Sequence, residues 1–376
     1  MKGLKCSRFL YLDLFHKELS DTEESSVSSK PNYGYEVEAA VYKQYFDGIN
    51  VYDATKSAHE LAEITIDAIK SGVPIIYQPT FMSKDGNFIF RGDLLVKGQN
   101  NYRLIEIKSS TAIKIPAHIF DVGFQKMVLD SHHHNTITDD DVTFTYSYKS
   151  RKYKDPVFRN IEVFIAHINK EYVFNVRLDL DSLIIEENVT ARANRNLALI
   201  NRALRTFESA IKKNKIPELN IGTHCTKPEK CTFYNYCWKD VPKKSIHRAS
   251  KLSEAKIRKL AEKGITSIED IPSNFEMSES VRTQITAELG QKEVVKKSKL
   301  KSFLEKLKNT SLIYLDFESI MPAVPVFIGT KPYQQICFQY SLIKQKEIGS
   351  PDLIRCDFLA EAGYDPRRTF YRSFIA

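Results

Sequence analysis

Two apolar runs on either side of a polar turn constrain the fold of this chain more than any other stretch. Residues 88–96 (FIFRGDLLV) and 102–107 (YRLIEI) are rich in β-branched and aromatic side chains, and KGQNN lies between them. Glycine and asparagine tolerate the positive φ that a hairpin bend requires. The sequence therefore predicts a β-hairpin.

This hairpin carries charged residues among its apolar ones. Asp93 belongs to the first run, whereas Glu106 and Lys108 lie two residues apart in the second and so point to one face of the sheet. Such charges are costly to bury unless something compensates them, and a divalent cation between the carboxylates would do so. The alternative is an exposed hairpin on which Glu106 and Lys108 form an ordinary surface pair.

Helices are expected before and after the hairpin. In GYEVEAAVYKQYF, from Gly34, the apolar residues at 37, 40, 41 and 45 have helical spacing, which places Glu36 and Glu38 near a helix start. Glutamates are also favoured there simply by the helix dipole. DVGFQKMVLD, from Asp121, predicts a helix that carries Gln125. A further strand is expected over 142–148.

A strand with Asp, a strand with Glu-x-Lys and a helix with Gln resemble the PD-(D/E)xK nuclease core, and more narrowly its RecB-like branch, which includes CRISPR-associated exonucleases. The resemblance implies an α/β fold with a restriction-endonuclease-like mixed sheet flanked by helices. It implies Asp93 and Glu106 as ligands of Mg²⁺ or Mn²⁺, Lys108 as a catalytic group, and Gln125 as an aid in holding DNA or the metal-bound water. Glu38 and the main-chain carbonyl of Ile107 would add metal ligands.

Cysteines form a second candidate site. Cys225, Cys231 and Cys237 are separated by five residues each, and Cys6 could supply a fourth thiolate. Four soft thiolates suit a [4Fe-4S] cluster or zinc, although structural zinc usually uses shorter C-x(2–4)-C spacings. His224 could replace a cysteine in a zinc site. One cysteine ahead of the core and three after it resemble the iron-sulfur RecB-like nucleases, and this implies a structural staple.

The C-terminal third predicts a different architecture. Residues 241–249 form a basic linker, and 252–307 predict a small helical module that resembles helix-hairpin-helix DNA binders, with a plain helical spacer as the alternative. SLIYLDFES, over 311–319, predicts a buried strand with Asp316 and Glu318 on one face. It resembles the first motif of RNase H-like DEDD exonucleases, which implies a second, incomplete metal site in a truncated α/β domain.

Length and charge agree with this organisation. The chain of 376 residues has room for two or three domains, which we place at 1–240, 241–309 and 310–376. Its net charge of +8 favours polyanionic partners such as DNA. No apolar run approaches the roughly 20 residues of a membrane helix, and six cysteines fit thiols or metal ligands in the cytoplasm.

The expected activity is that of a metal-dependent DNA nuclease, most simply an exonuclease. It would work alongside a helicase or the missing exonuclease portion. The alternative is a catalytically inactive nuclease fold that binds DNA for a partner enzyme.

Overall fold

The computed structural model describes residues 2–21, 33–99, 101–131, 161–218, 221–227, 229–249, 252–308 and 310–376. The strand expected over 142–148 lies outside them. The chain divides into two compact units, one formed by 1–28, 203–314 and 342–355 and the other by 29–202, 315–341 and 356–376. The division into three domains at 240 and 309 stays a prediction.

The described residues alternate between helices and strands. The helices are α1 Lys2–Lys5, α2 Ser7–Phe15, α3 Tyr33–Gln44, α4 Ala58–Lys70, α5 Ala117–Asp130, α6 Leu180–Leu183, α7 Thr190–Arg195, α8 Leu197–Lys212, α9 Tyr234–Trp238, α10 Glu254–Ala261, α11 Glu279–Gly290, α12 Lys297–Leu307 and α13 Arg367–Ile375. The strands are β1 Ile49–Asn50, β2 Ile75–Tyr77, β3 Thr80–Met82, β4 Ile89–Arg91, β5 Leu94–Lys97, β6 Tyr102–Lys108, β7 Ile161–Ile168, β8 Ile184–Asn188, β9 Leu312–Ile320, β10 Ile336–Gln345 and β11 Leu353–Leu359.

A six-stranded mixed sheet organises the second unit, in the order β1-β2-β5-β6-β7-β8. Strands β5 and β6 are antiparallel with Leu94 opposite Ile105, which confirms the hairpin. Strand β7 then runs parallel to β6, with Ile165 beside Glu106. The fold is therefore mixed α/β, as expected.

Strict alternation along the strands gives this sheet two buried faces. Leu95 and Leu104 belong to one core with residues of α4, α5 and α7, whereas Leu94 and Ile105 belong to the other with residues of α3 and α6. Successive strand residues point to opposite faces, so a sheet covered by helices on both sides reads as a nearly continuous apolar run. Glu106 shares the parity of Leu104 and thus faces α5.

The first arm of the hairpin is not one strand, and here the sequence prediction was wrong. Strand β4 pairs with β3 in a separate two-stranded sheet, and the main sheet resumes at Leu94. In the break, the Gly92 N–H donates to the Pro79 carbonyl (2.8 Å) and the Asp93 carbonyl accepts from the Gln78 N–H (2.9 Å). Asp93 therefore lies just before β5 instead of on a strand.

The other unit contains the N-terminal helices and the helical module. Phe9 packs edge-on against Phe233 with ring centroids 5.8 Å apart, and Lys5 Nζ donates to the Glu229 carbonyl (3.1 Å). One small core unites the helical module with residues of the predicted linker. It is formed by Ile246, Ala249, Leu252, Ile257, Leu260, Ile268 and Val281.

The C-terminal residues form a three-stranded sheet in the order β11-β10-β9. The expected strand is present as β9, but most of its residues are exposed, so its predicted burial was wrong. Strand β9 is an edge strand, and its Phe317 contacts two phenylalanines of α13 at centroid distances of 5.7 to 5.8 Å. In the described ranges, none of the helices is long and apolar enough to cross a membrane.

Candidate metal-dependent active site

A cavity of about 230 Å³ opens where β5 begins and β6 ends. Its lining comprises Gly34, Tyr35, Glu38, Asp93, Ile107, Lys108 and Ser109. Three predicted metal ligands, Glu38, Asp93 and Ile107, thus meet the predicted catalytic Lys108 around one cavity. They come from the start of α3, the break before β5 and the end of β6, which is why no single stretch of sequence displays the site.

Asp93 is held in the cavity by the neighbouring strand. Its Oδ2 accepts the main-chain N–H of Ile107 at 2.6 Å. Burial, together with the negative charge of Glu106, raises the pKa of Asp93 to about 8. Since the N–H and C=O of one strand residue point to the same neighbouring strand, the Ile107 carbonyl is directed to the side of Asp93 as well. Main-chain oxygen and carboxylate are both ligands that hard divalent cations prefer.

Glu38 reaches the cavity from the second turn of α3. Its Oε1 lies 2.6 Å from the Tyr42 hydroxyl and accepts from Gln78 Nε2 at 2.9 Å. The Tyr42 hydroxyl also lies 3.0 Å from the Asp93 carbonyl. Sequence reasoning missed Tyr42 and Gln78, although Tyr42 lies four residues after Glu38 and so shares its helix face. The exposed Glu36 does not line this cavity.

Glu106 and Lys108 share a face, as predicted, and they are in direct contact. Lys108 Nζ lies 2.6 Å from Glu106 Oε1 and 2.5 Å from Asp121 Oδ2. Gln125 Nε2 donates to the other oxygen of Glu106, Oε2, at 2.6 Å. Asp121 and Gln125 lie one turn apart on α5, and the role of Asp121 was not predicted.

Burial controls the charge state of this group. Burial raises the pKa of Glu106, and Lys108 and Gln125 only partly offset that effect. Burial by itself would lower the pKa of Lys108, but the carboxylates of Glu106 and Asp121 outweigh it, so the Lys108 pKa is raised. Gln125 is itself buried, and its Oε1 has no hydrogen-bond partner. An unsatisfied buried oxygen costs free energy, and a water or cation could satisfy it.

The carboxylates of Glu38, Asp93 and Glu106 are not arranged around a common point in this structure. In the part of the chain that the structure describes, no group of three or more His, Cys, Asp or Glu side chains is arranged to hold a metal ion as it stands. The donor set nevertheless suits a hard cation, because Glu38, Asp93 and the Ile107 carbonyl offer only oxygen. Glu106 Oε1 accepts a hydrogen bond from Lys108 and Oε2 accepts one from Gln125. Glu106 is not among the residues that line the cavity.

The four predicted cysteines line a second, much smaller cavity, together with His224. The Cys231 N–H donates to the Cys225 carbonyl at 2.8 Å, which brings these two residues together. Burial raises the pKa of the Cys237 thiol to about 11 and also raises that of Cys231. A metal bound by these sulfur atoms would compensate the charge of the thiolates and so favour their ionisation. Cys6 joins the cluster from the residue just before α2.

Asp316 and Glu318 lie on β9 and are both exposed. Asp316 Oδ1 accepts the N–H of its neighbour Phe317 at 3.1 Å. Their alternation on a strand agrees with the prediction of a shared face. A metal-binding role for the pair stays a prediction.

Comparison with known proteins reaches only the C-terminal part of the chain. Residues 313–376 match a family described as a domain of unknown function (DUF2779). No curated protein and no solved structure matches the chain. Strands β9, β10 and β11 and helix α13 all lie within or at the edge of the matched segment.

Proposed function

We propose that this chain is a metal-dependent nuclease that hydrolyses phosphodiester bonds in DNA, acting from ends as an exonuclease. The observation that carries the proposal is the meeting of Glu38, Asp93, the Ile107 main chain and Lys108 at one cavity. Glu106 and Gln125 lie directly behind Lys108. Oxygen ligands beside an ammonium group are what a site needs to bind a divalent cation and a phosphate together.

Each residue has a distinct part in this proposal. Glu38, Asp93, Glu106 and the Ile107 carbonyl would hold one or two Mg²⁺ or Mn²⁺ ions. The bound metal would lower the pKa of a water and neutralise charge on the phosphate. The Lys108 ammonium would donate to the attacking water or to a phosphate oxygen as negative charge develops there. Gln125 would hold Glu106 in place.

The cysteine cluster would hold a [4Fe-4S] cluster, with Zn²⁺ as the alternative occupant. All four donors are sulfur, and soft ligands of this kind select iron-sulfur clusters or zinc. The metal would join α2 to the loop around Cys231, segments that are far apart in sequence, and would stabilise that unit. Anaerobically purified protein should be brown and absorb broadly near roughly 400 nm, whereas a zinc protein would be colourless.

The engagement of both Glu106 oxygens favours a second candidate function. A nuclease fold whose central carboxylate is already neutralised by Lys108 could bind DNA for a partner enzyme without cleaving it. In that case the positive net charge of the chain would provide most of the affinity. For either function we propose DNA as the substrate or ligand, a helicase as the protein partner, and the cytoplasm as the location.

Cleavage of end-labelled DNA separates the two functions. The full-length protein, purified anaerobically, is incubated with single-stranded and duplex DNA with and without Mn²⁺, beside Glu106→Gln. Asp67→Asn is the matched control, because Asp67 is an exposed carboxylate on α4. We expect degradation that requires Mn²⁺, persists in the control and is lost in Glu106→Gln while DNA binding remains. DNA binding without degradation by the wild-type protein would support the binding module instead.

A further inference from the structure

The contacts of Glu106 raise a question about how a cation could reach it. Its Oε1 is 2.6 Å from Lys108 Nζ, and its Oε2 is 2.6 Å from Gln125 Nε2. Mg²⁺ on Oε1 would bind at about 2.0 to 2.1 Å from that oxygen. It would therefore lie close to the Lys108 ammonium, and the two positive charges would repel one another. Oε1 keeps a second lone pair, so the metal is not blocked outright, but its binding there becomes stronger when Lys108 moves away from Glu106.

Lys108 has a second anionic partner that could retain it. Asp121 Oδ2 lies 2.5 Å from Lys108 Nζ, and the Asp121 side chain is about one third exposed. Asp121 comes from the first turns of α5, one turn before Gln125, so it approaches the ammonium from the helix and not from the strand. The Lys108 ammonium thus contacts two carboxylates. One belongs to Glu106, a proposed metal ligand, and the other to Asp121, which is not a proposed ligand.

We propose that Asp121 is a positioning residue that holds Lys108 when a divalent cation replaces the ammonium at Glu106. In the metal-free protein Lys108 supplies the positive charge that the buried Glu106 requires. When the cation takes over that task, Lys108 keeps one charge-assisted hydrogen bond, to Asp121, and remains beside the cavity. Without Asp121, Glu106 would be the one remaining carboxylate partner of Lys108 among the residues that the structure describes, and the ammonium would compete with the metal more strongly. This inference rests on the proposed function.

Mn²⁺ alone, titrated into the full-length protein, tests the proposal without any need for activity. Free Mn²⁺ is measured by electron paramagnetic resonance for the wild type, Asp121→Asn, Lys108→Met and the double variant. Loss of a hydrogen bond to a charged group corresponds to roughly a 10- to 100-fold change in an equilibrium constant. We expect Asp121→Asn to weaken Mn²⁺ binding by about that factor. In the Lys108→Met background the same substitution should change binding less than about twofold.

Two further variants test whether Mn²⁺ affinity depends on the contact between Asp121 and Lys108, and not on the loss of any carboxylate from α5. Asp121→Glu keeps a carboxylate within reach of Lys108 and should restore most of the Mn²⁺ affinity. Asp130→Asn removes a carboxylate that pairs with Lys126 on the same helix and should leave the affinity unchanged.

The possible failures are distinguishable. Equal weakening by Asp121→Asn in both backgrounds, or no weakening in either, would overturn the role of Asp121 while the metal site stands. Absence of Mn²⁺ binding by the wild-type protein would overturn the proposed function and this inference with it.

Discussion

Replacing Asp93 by Asn should stabilise the metal-free protein and abolish the proposed nuclease activity. Asn keeps the shape of the side chain and an oxygen that can accept the Ile107 N–H, but it removes the charge. The pKa of Asp93 is about 8, against 3.8 for a free carboxyl, chiefly because the group is buried. At about 1.4 kcal/mol per pKa unit, ionised Asp93 costs on the order of 6 kcal/mol of folding free energy.

The sign of the pH dependence follows from the direction of that pKa change. A carboxyl with a raised pKa binds more protons in the folded than in the unfolded protein, so its contribution to stability is lost as pH rises from about 4 to about 8. The amide in the Asp93→Asn variant does not titrate, so this dependence disappears there. The stability advantage of the variant should therefore grow by about 3 kcal/mol between about pH 5.5 and about pH 9.

Urea denaturation in the presence of a chelator at the two pH values measures this difference, with Asp67→Asn as the control. Added Mn²⁺ should reverse the order, since a ligand at a hundredfold excess over its Kd stabilises by about 2.7 kcal/mol and Asp93→Asn should gain far less. A variant that is destabilised equally at both pH values would refute the assignment of a buried, destabilising carboxylate. Equal stabilisation of both proteins by Mn²⁺ would refute Asp93 as a ligand.

Three other substitutions address packing, the cysteine cluster and the substrate. Gly92→Ala should destabilise by about 1 to 3 kcal/mol in urea denaturation, because its Cβ would lie 2.7 Å from the buried Leu104 Cδ1. Cys231→Ala should lose the visible absorbance and bound iron and lower the melting temperature, and retained iron would show that the ligands are misassigned. Tyr35→Ala should raise KM for single-stranded DNA about tenfold, as expected for a lost stacking contact at the cavity, whereas Tyr371→Ala should not.

Much of the fold could be predicted because it depends on local patterns. The turn cluster before Tyr102 and the alternation along β6 are enough to define a hairpin and to place Glu106 and Lys108 on one face. The start of helix α4 is likewise indicated by Ser57 and Glu60, which form a capping box. Patterns of this kind arise from the backbone geometry of a few consecutive residues.

The break at Gly92 and the exposure of β9 were not predictable in that way. Residues 88–96 read as one strand, because an apolar run does not reveal that its two halves pair with different partners. The apolar pattern of β9 likewise predicted burial, but side chains on a strand are buried only where other elements cover the faces of its sheet, and most residues of β9 are exposed. Strand pairing is decided by the rest of the fold.

The sequence by itself determined which chemical groups this protein can use: carboxylates, one central lysine and four thiols. Only the tertiary structure decided how they are combined. It placed Glu38 and Asp93 at one cavity and gave Lys108 a second carboxylate partner in Asp121. It also gave each carboxylate oxygen of Glu106 a hydrogen-bond donor. These relations join segments that are distant along the chain, and their energies come from burial and from charges brought together by packing, which no local pattern of residues records.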